Sequence, residues 1–379
     1  MSHLVRFELK RMICNRFVWL LIILFMMADI YKIYAIENGL NNPTPGGEKI
    51  YEEIKGNVTN EKAQFLISRY EELTQIVSAG NYSTSGNQEG TYTGYIYGDY
   101  SEFGTYYERY KYIYDYTERM DGVVTTARGN IENLENSSKF QIRKNKKIVS
   151  DYSNRKIQQF YNMEHMQLYL EYDFSTIFIF LLVIAAASGI LYYDRKGKVL
   201  YLVKTSSMGL RRSMISKMLA IGIYACMVTV FVAIVDFAVF SFFFQLEGWN
   251  QPLYAISDYA DTAVNMTVLE CVFFQMLMRM IGAFFWGLTV FVISKKSKKN
   301  SWTIVSVIGL FAGSVWLCLN EKLFLNPVGL FAPIQLIKDF DVVNVAGFPV
   351  YYFQEVIVVV IFMIILLFFL GCYKAPDVD

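Results

Sequence analysis

Histidine is almost missing from this sequence of 379 residues, in which His3 and His165 are the only two. The chain also lacks the HExxH sequence of zinc hydrolases, a GxxxxGK[ST] phosphate-binding loop and a GxGxxG turn. A zinc centre or a histidine-based triad therefore has too few candidate residues, and we expect no metal site. Because it has no phosphate-binding loop, the chain is predicted not to be an enzyme and not to hydrolyse nucleotides itself.

Charged residues are scarce as well. They make up 18% of the chain, whereas 54% of its residues are hydrophobic. Because a soluble protein keeps about a quarter of its residues charged, this composition indicates a membrane protein. The formal net charge of +1 gives no electrostatic support for a nucleic-acid partner.

Cysteine is absent from the long polar region 37–172. Small secreted domains often depend on disulfides, so this region fits a bacterial surface domain held together by packing alone. The five cysteines of the chain lie in or beside apolar segments, with no spacing typical of a metal site, at positions 14, 226, 271, 318 and 372.

Six apolar stretches are long enough to cross a membrane, since a transmembrane helix needs about 20 mostly apolar residues. They are residues 17–36, 174–193, 218–244, 267–293, 302–319 and 354–373. All seven prolines lie outside them. The first stretch has a long basic leader and no small-x-small cleavage site, so we expect it to remain as an anchor. The sequence predicts an all-α polytopic membrane protein with six transmembrane helices.

The basic residues near these stretches alternate from one side to the other. Sixteen lysines and arginines flank the N-terminus, the connections 194–217 and 294–301 and the tail, whereas the connections 245–266 and 320–353 together contain two. Short cytoplasmic loops are rich in lysine and arginine. The pattern therefore predicts that both termini face the cytoplasm of a bacterial cell membrane and that residues 37–172 lie outside.

The N-terminal residues 1–16 alternate apolar and basic positions at roughly helical spacing. This pattern favours a cytoplasmic amphipathic helix lying in the membrane interface. The alternative is an ordinary basic flank of the first span.

The predicted outer domain, residues 37–172, reads as mostly helical. Residues 61–77 have helical periodicity, the Gly- and Ser-rich residues 78–94 interrupt it, and a last helical stretch covers residues 153–172. Residues 41–47 read as a linker. Four tyrosines recur at helical spacing together with Phe103: Tyr100, Tyr107, Tyr110 and Tyr114. They form either the packed seam of a helical hairpin or a recognition surface, since tyrosine suits both roles.

The connection 194–217 has the most informative order of residues. An acidic residue is followed by a basic pair and glycine, then by leucine, threonine, glycine, two arginines and a lysine: Asp194, Arg195, Lys196, Gly197, Leu200, Thr205, Gly209, Arg211, Arg212 and Lys217. This order resembles the corresponding loop of the ABC-2 type transporter permease family. Two departures are that Leu210 separates Gly209 from Arg211, and that aspartate occupies position 194 where glutamate is commoner.

The resemblance extends to the six spans, the N-terminal helix and the large insertion after the first span. It implies a permease subunit that pairs with a second permease, identical or paralogous, and docks a dimer of ABC ATPase subunits, which bind ATP and Mg. The connection 194–217 would then be the coupling helix, and residues 325–340 would form a re-entrant hairpin. In the family, such insertions occur in members that handle peptides or antimicrobials, so a peptide, a lipid-linked molecule or a drug is the expected substrate.

Charged residues inside the apolar stretches are costly and suggest a function. Counted along the helices, Asp236 and Arg279 lie at depths from which Arg279 could reach Asp236, with Glu270 as a rival partner. The pair is either a polar latch in a translocation path or an ion pair that holds two helices together.

Two other classes of protein remain as alternatives. A non-transporting sensor or scaffold would use the tyrosine-rich domain as a receptor. A membrane-embedded enzyme acting on lipids would need His, Asp or Glu clustered at one membrane face, and the sequence shows no such cluster.

Overall fold

The computed structural model of the chain describes residues 2–40, 44–80, 88–133, 138–197, 209–297, 299–320 and 327–373, together with residues 82, 84 and 203. Within these ranges the fold is all-α, with two small two-stranded sheets, one of which is a hairpin. The helices are α1 (Ser2–Ile13), α2 (Arg16–Gly39), α3 (Pro45–Ile54), α4 (Asn60–Ser78), α5 (Ile96–Asn133), α6 (Lys139–Tyr152), α7 (Glu164–Glu171), α8 (Phe174–Lys196), α9 (Gly209–Phe243), α10 (Val268–Lys296), α11 (Asn300–Asn320), α12 (Pro333–Ile337) and α13 (Tyr352–Tyr373). The strands are β1 (Gly56–Asn57), β2 (Gln159–Phe160), β3 (Val342–Val345) and β4 (Phe348–Tyr351). β1 pairs with β2, and β3 forms a hairpin with β4, and both pairs are antiparallel.

Six of the described helical segments are long and apolar enough to cross a membrane, which confirms the six predicted helices. They are α2, α7 together with α8, α9, α10, α11 and α13. Two extend into the predicted connection 194–217, because α8 continues to Lys196 and α9 begins at Gly209. Lysine and arginine tolerate this position since their long side chains can reach water from a helix end.

Helix α8 occupies the centre of the bundle. In its most apolar window 78% of the residues are buried, against 17% in α2, 11% in α11 and 17% in α13. It contacts α2, α9, α10 and α11 as well as α1. A displacement of α8 would therefore be felt by four of the other spans.

The segment before α12 packs into the bundle. Leu330 and Phe331 are buried in its core. The ring of Phe331 contacts Phe180 of α8 and Phe311 of α11, with centroids 6.3 and 6.1 Å apart. A side chain at Gly282 of α10 would meet Leu330 at 3.1 Å, so glycine permits this close approach. Whether the segment is re-entrant in a membrane stays a prediction.

Residues 44–160 form an insert domain, whose core includes Ile50, Phe103, Tyr116 and Phe160 and continues into the connection between α9 and α10. Two sequence expectations were wrong here. The predicted linker already contains the start of α3, because Thr44 caps the helix by accepting from Gly47 N and proline fits its first turn. The predicted helix 153–172 is interrupted by a turn and β2, so that only α7 is helical there.

The insert domain rests on the connection between α9 and α10. The hydroxyl groups of three tyrosines donate to backbone carbonyls of that connection: Tyr112 to Tyr254, Tyr116 to Ala260 and Tyr152 to Asp261, at 2.8, 3.3 and 2.5 Å. On its other side, α6 contacts the β3–β4 hairpin, where Arg143 donates to Gly347 O at 2.9 Å and lies over the ring of Phe348. We call the end of the bundle that contacts the insert domain the insert end, and the end where α8 stops at Lys196 the basic end.

Candidate functional site

A buried ion-pair network joins three helices at the basic end. Lys217 of α9 lies 2.7 Å from Asp194 of α8 and also binds Glu8 of α1. Arg11 of α1 completes the network, since its Nη1 is 2.6 Å from Asp194 Oδ1 and 3.6 Å from Glu8 Oε2. Two acidic and two basic side chains thus balance each other.

Three members of this network are buried. Lys217, Asp194 and Glu8 are 1%, 6% and 7% exposed. Removing one partner of a buried pair typically costs about 3–5 kcal/mol, because the other charge is left uncompensated. The network therefore fixes the end of α8 and the beginning of α9 to each other and to α1.

A second set of contacts ties the same end to α10 and α13. Arg195 Nη2 donates to Lys295 O at 2.7 Å, and its Nη1 donates to Ser297 O. Lys295 Nζ donates to the carbonyls of Leu370 and Gly371, at 3.0 and 2.8 Å. A lysine at these carbonyls compensates the negative end of α13. Four spans are thereby held together at the basic end.

The predicted coupling residues separate into distinct groups. Asp194, Lys217 and Arg195 are engaged in these contacts. Lys196 and Gly197 are exposed at the end of α8, Gly209 begins α9, and Arg211 and Arg212 are exposed in its first turn.

Leu200 and Thr205 lie outside the described residues. Arg211, Arg212 and Lys196 are the exposed charged members of the predicted motif among the described residues, whereas Asp194 and Lys217 are buried. Glu8 was missed by the sequence reasoning, although a lone acid among basic residues of the N-terminal helix is a signal for an internal partner.

Arg279 does not pair with Asp236 in the described part of the chain, contrary to the sequence expectation. Its Nη2 binds Asp173 Oδ1 at 3.2 Å and donates to Tyr172 O at 3.0 Å. The rival Glu270 forms the capping box of α10 with Thr267, accepting from Thr267 N at 2.7 Å. The sequence predicted how far along its helix each charged residue lies, but not the direction in which its side chain points.

Asp236 has different neighbours. Ser175 donates to its Oδ2 at 2.6 Å. Asp29 of α2 accepts from the hydroxyl of Tyr172 at 2.7 Å, and its carboxyl group lies within hydrogen-bonding reach of that of Asp236. Two carboxyl groups, from α2 and α9, therefore lie close together near the insert end.

The predicted tyrosine face is in contact with α4. The rings of Tyr100 and Tyr107 stack on Tyr70, with centroids 5.6 and 4.8 Å apart. Tyr110 is buried and donates to Thr59 O at 3.2 Å. Tyr114 donates to Asn60 Oδ1 at 3.0 Å and, with 44% of its surface exposed, offers the largest free area of the four. These contacts account for the stripe as a packed seam.

Arg155 is a further residue that the sequence did not single out. It is 3% exposed, lies over the rings of Tyr152 and Tyr254, and donates to Thr262 O at 2.8 Å. It fastens the insert domain to the α9–α10 connection.

A charged contact joins α3 to the residues after α9. Lys55 Nζ lies 2.7 Å from Glu247 Oε1, and the Tyr51 hydroxyl also donates to Glu247. Burial alone raises the pKa of the Glu247 carboxyl, but the hydrogen bonds from Lys55 and Tyr51 outweigh burial, so its pKa is lowered. Burial and the neighbouring Glu247 raise the pKa of the Tyr51 hydroxyl.

Within the described residues no group of three His, Cys, Asp or Glu side chains is placed to hold a metal ion. Comparison of the chain with protein-family models, curated proteins and solved structures finds no match to any of them.

Proposed function

We propose that this chain is the permease subunit of an ATP-driven ABC-2 type transporter in the bacterial cytoplasmic membrane. In this proposal both termini face the cytoplasm and the insert domain lies outside. A second permease, identical or paralogous, completes the transport path, and a dimer of ABC ATPase subunits binds ATP and Mg and supplies the energy. The substrate is a peptide, lipid-linked or drug-like molecule.

The observation that carries the proposal is the network of Glu8, Arg11, Asp194 and Lys217. A connection that only satisfied the orientation rule would need positive charge but no fixed ends. Here both ends of the connection 197–208 are held by buried ion pairs, while Arg211 and Arg212 beside it are exposed. This arrangement supports a connection through which a bound partner can transmit force to the spans.

The position of α8 supports the same mechanism. A force on the connection would act first on the end of α8, which is packed against four other spans. At its other end α8 follows α7, where Glu171 accepts from Tyr259 of the α9–α10 connection at 3.0 Å. Because the insert domain rests on that connection, a motion started at the basic end has a continuous path of packed residues to the insert domain.

The proposal is tested by reversing charge beside the connection. In this proposal the two arginines meet an acidic surface of the ATPase. Arg211→Glu with Arg212→Glu should therefore abolish co-purification of an ATPase with the tagged chain from its native cells, since like charges at a docking surface cost several kcal/mol. The matched control is Lys296→Glu with Lys299→Glu, two exposed lysines of the α10–α11 connection. Equal recovery of the ATPase with both variants would leave the connection 197–208 with no role beyond orientation.

The second candidate is a sensor or scaffold that transports nothing. It is favoured by a cavity of about 410 Å³ between the insert domain and the α9–α10 connection, which Tyr112, Asn162 and Ile256 help to line. A ligand bound there would contact both the insert domain and the α9–α10 connection. A chain that binds a ligand at this cavity but recovers no ATPase would support this alternative.

A further inference from the structure

A cavity opens between α7, α9 and α10 near the insert end. Its volume is about 260 Å³, and its walls include Tyr169, Phe237, Trp249 and Phe273. The rings of Tyr169, Phe237 and Trp249 form T-shaped contacts with one another, with centroids 5.7–6.5 Å apart. Apolar, aromatic walls of this kind are typical of sites for small organic molecules.

The mouth of the cavity is apolar as well. Ile234, Phe237 and Phe273 are 61%, 45% and 59% exposed. They belong to helices that are long and apolar enough to cross a membrane, in which this exposed face would meet lipid rather than water. A ligand would therefore enter from the hydrocarbon region.

The wall of the cavity contains a buried carboxyl group. Asp236 lines the cavity and is 3% exposed; its Oδ1 accepts from no N–H or hydroxyl group of the described residues, and its carboxyl lies within hydrogen-bonding reach of that of Asp29. Buried carboxylate oxygens normally have a donor, because an unpaired one costs free energy. Arg279 lines the same cavity, and its Nη2 is bound to Asp173.

The charges around this carboxyl group favour a cation. Asp173 is paired with Arg279, Asp236 also interacts electrostatically with that guanidinium, and Asp29 lies beside Asp236. A positive group beside Asp236 would relieve its repulsion with Asp29, whereas an anion would add to it. Aromatic faces attract cations too.

We propose that this cavity binds a hydrophobic organic cation that carries a protonated amine and enters from the bilayer. The ammonium group donates to Asp236 Oδ1, and the apolar body lies among Tyr169, Phe237, Trp249 and Phe273. Binding does not depend on transport. If the chain is the permease proposed above, such amines are its substrate class, and that extension rests on the proposed function.

The test is equilibrium binding of radiolabelled dodecylamine to the full-length chain in phosphatidylcholine nanodiscs, with empty nanodiscs subtracted. Saturable binding is expected. Asp236→Asn should weaken it about tenfold, the effect of losing one charge-assisted hydrogen bond. Glu355→Gln, a neutralised carboxyl in the first turn of α13 that does not line the cavity, should leave binding unchanged.

A second measurement uses the unaltered chain, so the result does not depend on folding of the Asp236 variant. Unlabelled dodecanol, which has the same chain and an uncharged donor, should displace the amine poorly. Displacement by dodecanol as effective as by dodecylamine would show a lipid-tail cavity and overturn the proposal. Unchanged affinity in folded Asp236→Asn would overturn it as well. Neither result bears on ATPase docking, which tests the proposed function.

Discussion

Lys217 and Asp194 are bound to each other across 2.7 Å, although 22 residues of the chain, six of them basic, lie between them. Because Asp194 lies in the last turn of one span and Lys217 in the first turns of the next, their contact joins the two spans on either side of the connection. Glu8 and Arg11 join the pair to α1. The predictions below start from this relationship.

Replacing Lys217 by methionine should destabilise the chain strongly. The change keeps most of the side-chain volume but leaves Glu8 and Asp194 with Arg11 alone, and we expect a loss of about 3–5 kcal/mol. The measurement is the thermal unfolding midpoint in detergent. Lys196→Met, an exposed lysine at the end of α8, is the control and should change little.

Adding Glu8→Gln to the Lys217 variant should recover part of the lost stability, because the surplus negative charge is removed. A double variant that shows the sum of both single losses would argue that the two side chains do not act as a pair.

The partner of Arg279 can be identified by a double-mutant cycle. Arg279→Ala should cost about 1–3 kcal/mol, since it leaves the half-buried Asp173 without its charged donor. Asp173→Asn should rescue part of this loss. Asp236→Asn should not, and rescue by Asp236→Asn instead would restore the pairing expected from the sequence.

The contact of Glu247 with Lys55 should give a pH-dependent stability. The pKa of Glu247 in the folded chain is below its ordinary value of 4.5, so its contribution is present above that value and is lost as the pH falls through the folded pKa. Glu247→Gln should therefore lower the unfolding midpoint at pH 7, by an amount equivalent to about 1 kcal/mol, and have a smaller effect at pH 3. Lys55→Gln should show the same trend. Equal losses at both pH values would contradict this origin.

The proposed orientation follows from the lysine and arginine pattern and has a direct test. In a background without the native cysteines, Ser68→Cys in α4 should react with a membrane-impermeant thiol reagent added to intact cells. Ser301→Cys, at the start of α11, should react only after the cells are opened. Both serines are exposed, so that access alone separates them. Reaction at position 301 in intact cells would reverse the orientation.

The six long helices were predictable because hydropathy is a local property of the chain. The face of α5 was predictable for a similar reason, since Tyr100, Tyr107, Tyr110 and Tyr114 recur at helical spacing and do meet α4. Helical period and apolar length are both read from neighbouring residues.

The contacts between distant residues were not predictable in this way. Glu8 meets Lys217, and Arg279 meets Asp173 instead of Asp236, because the rotation of each helix about its axis depends on packing with all its neighbours. Thr44 and Pro45 were interpreted as a linker, although the same residue types begin helices. Only the apolar contacts that follow, such as those of buried Ile50, distinguish the two.

The central claim is that an ABC ATPase docks beside the connection 197–208. The most direct measurement places a photo-reactive amino acid at Arg212 of the full-length chain in its native cells and identifies the cross-linked protein by mass spectrometry. The account predicts a cross-link to an ATPase that contains the phosphate-binding loop missing from this chain, and none from the same amino acid at Ser68 of the insert domain. Cross-linking from Arg212 to lipid alone, or to proteins without such a loop, would contradict it.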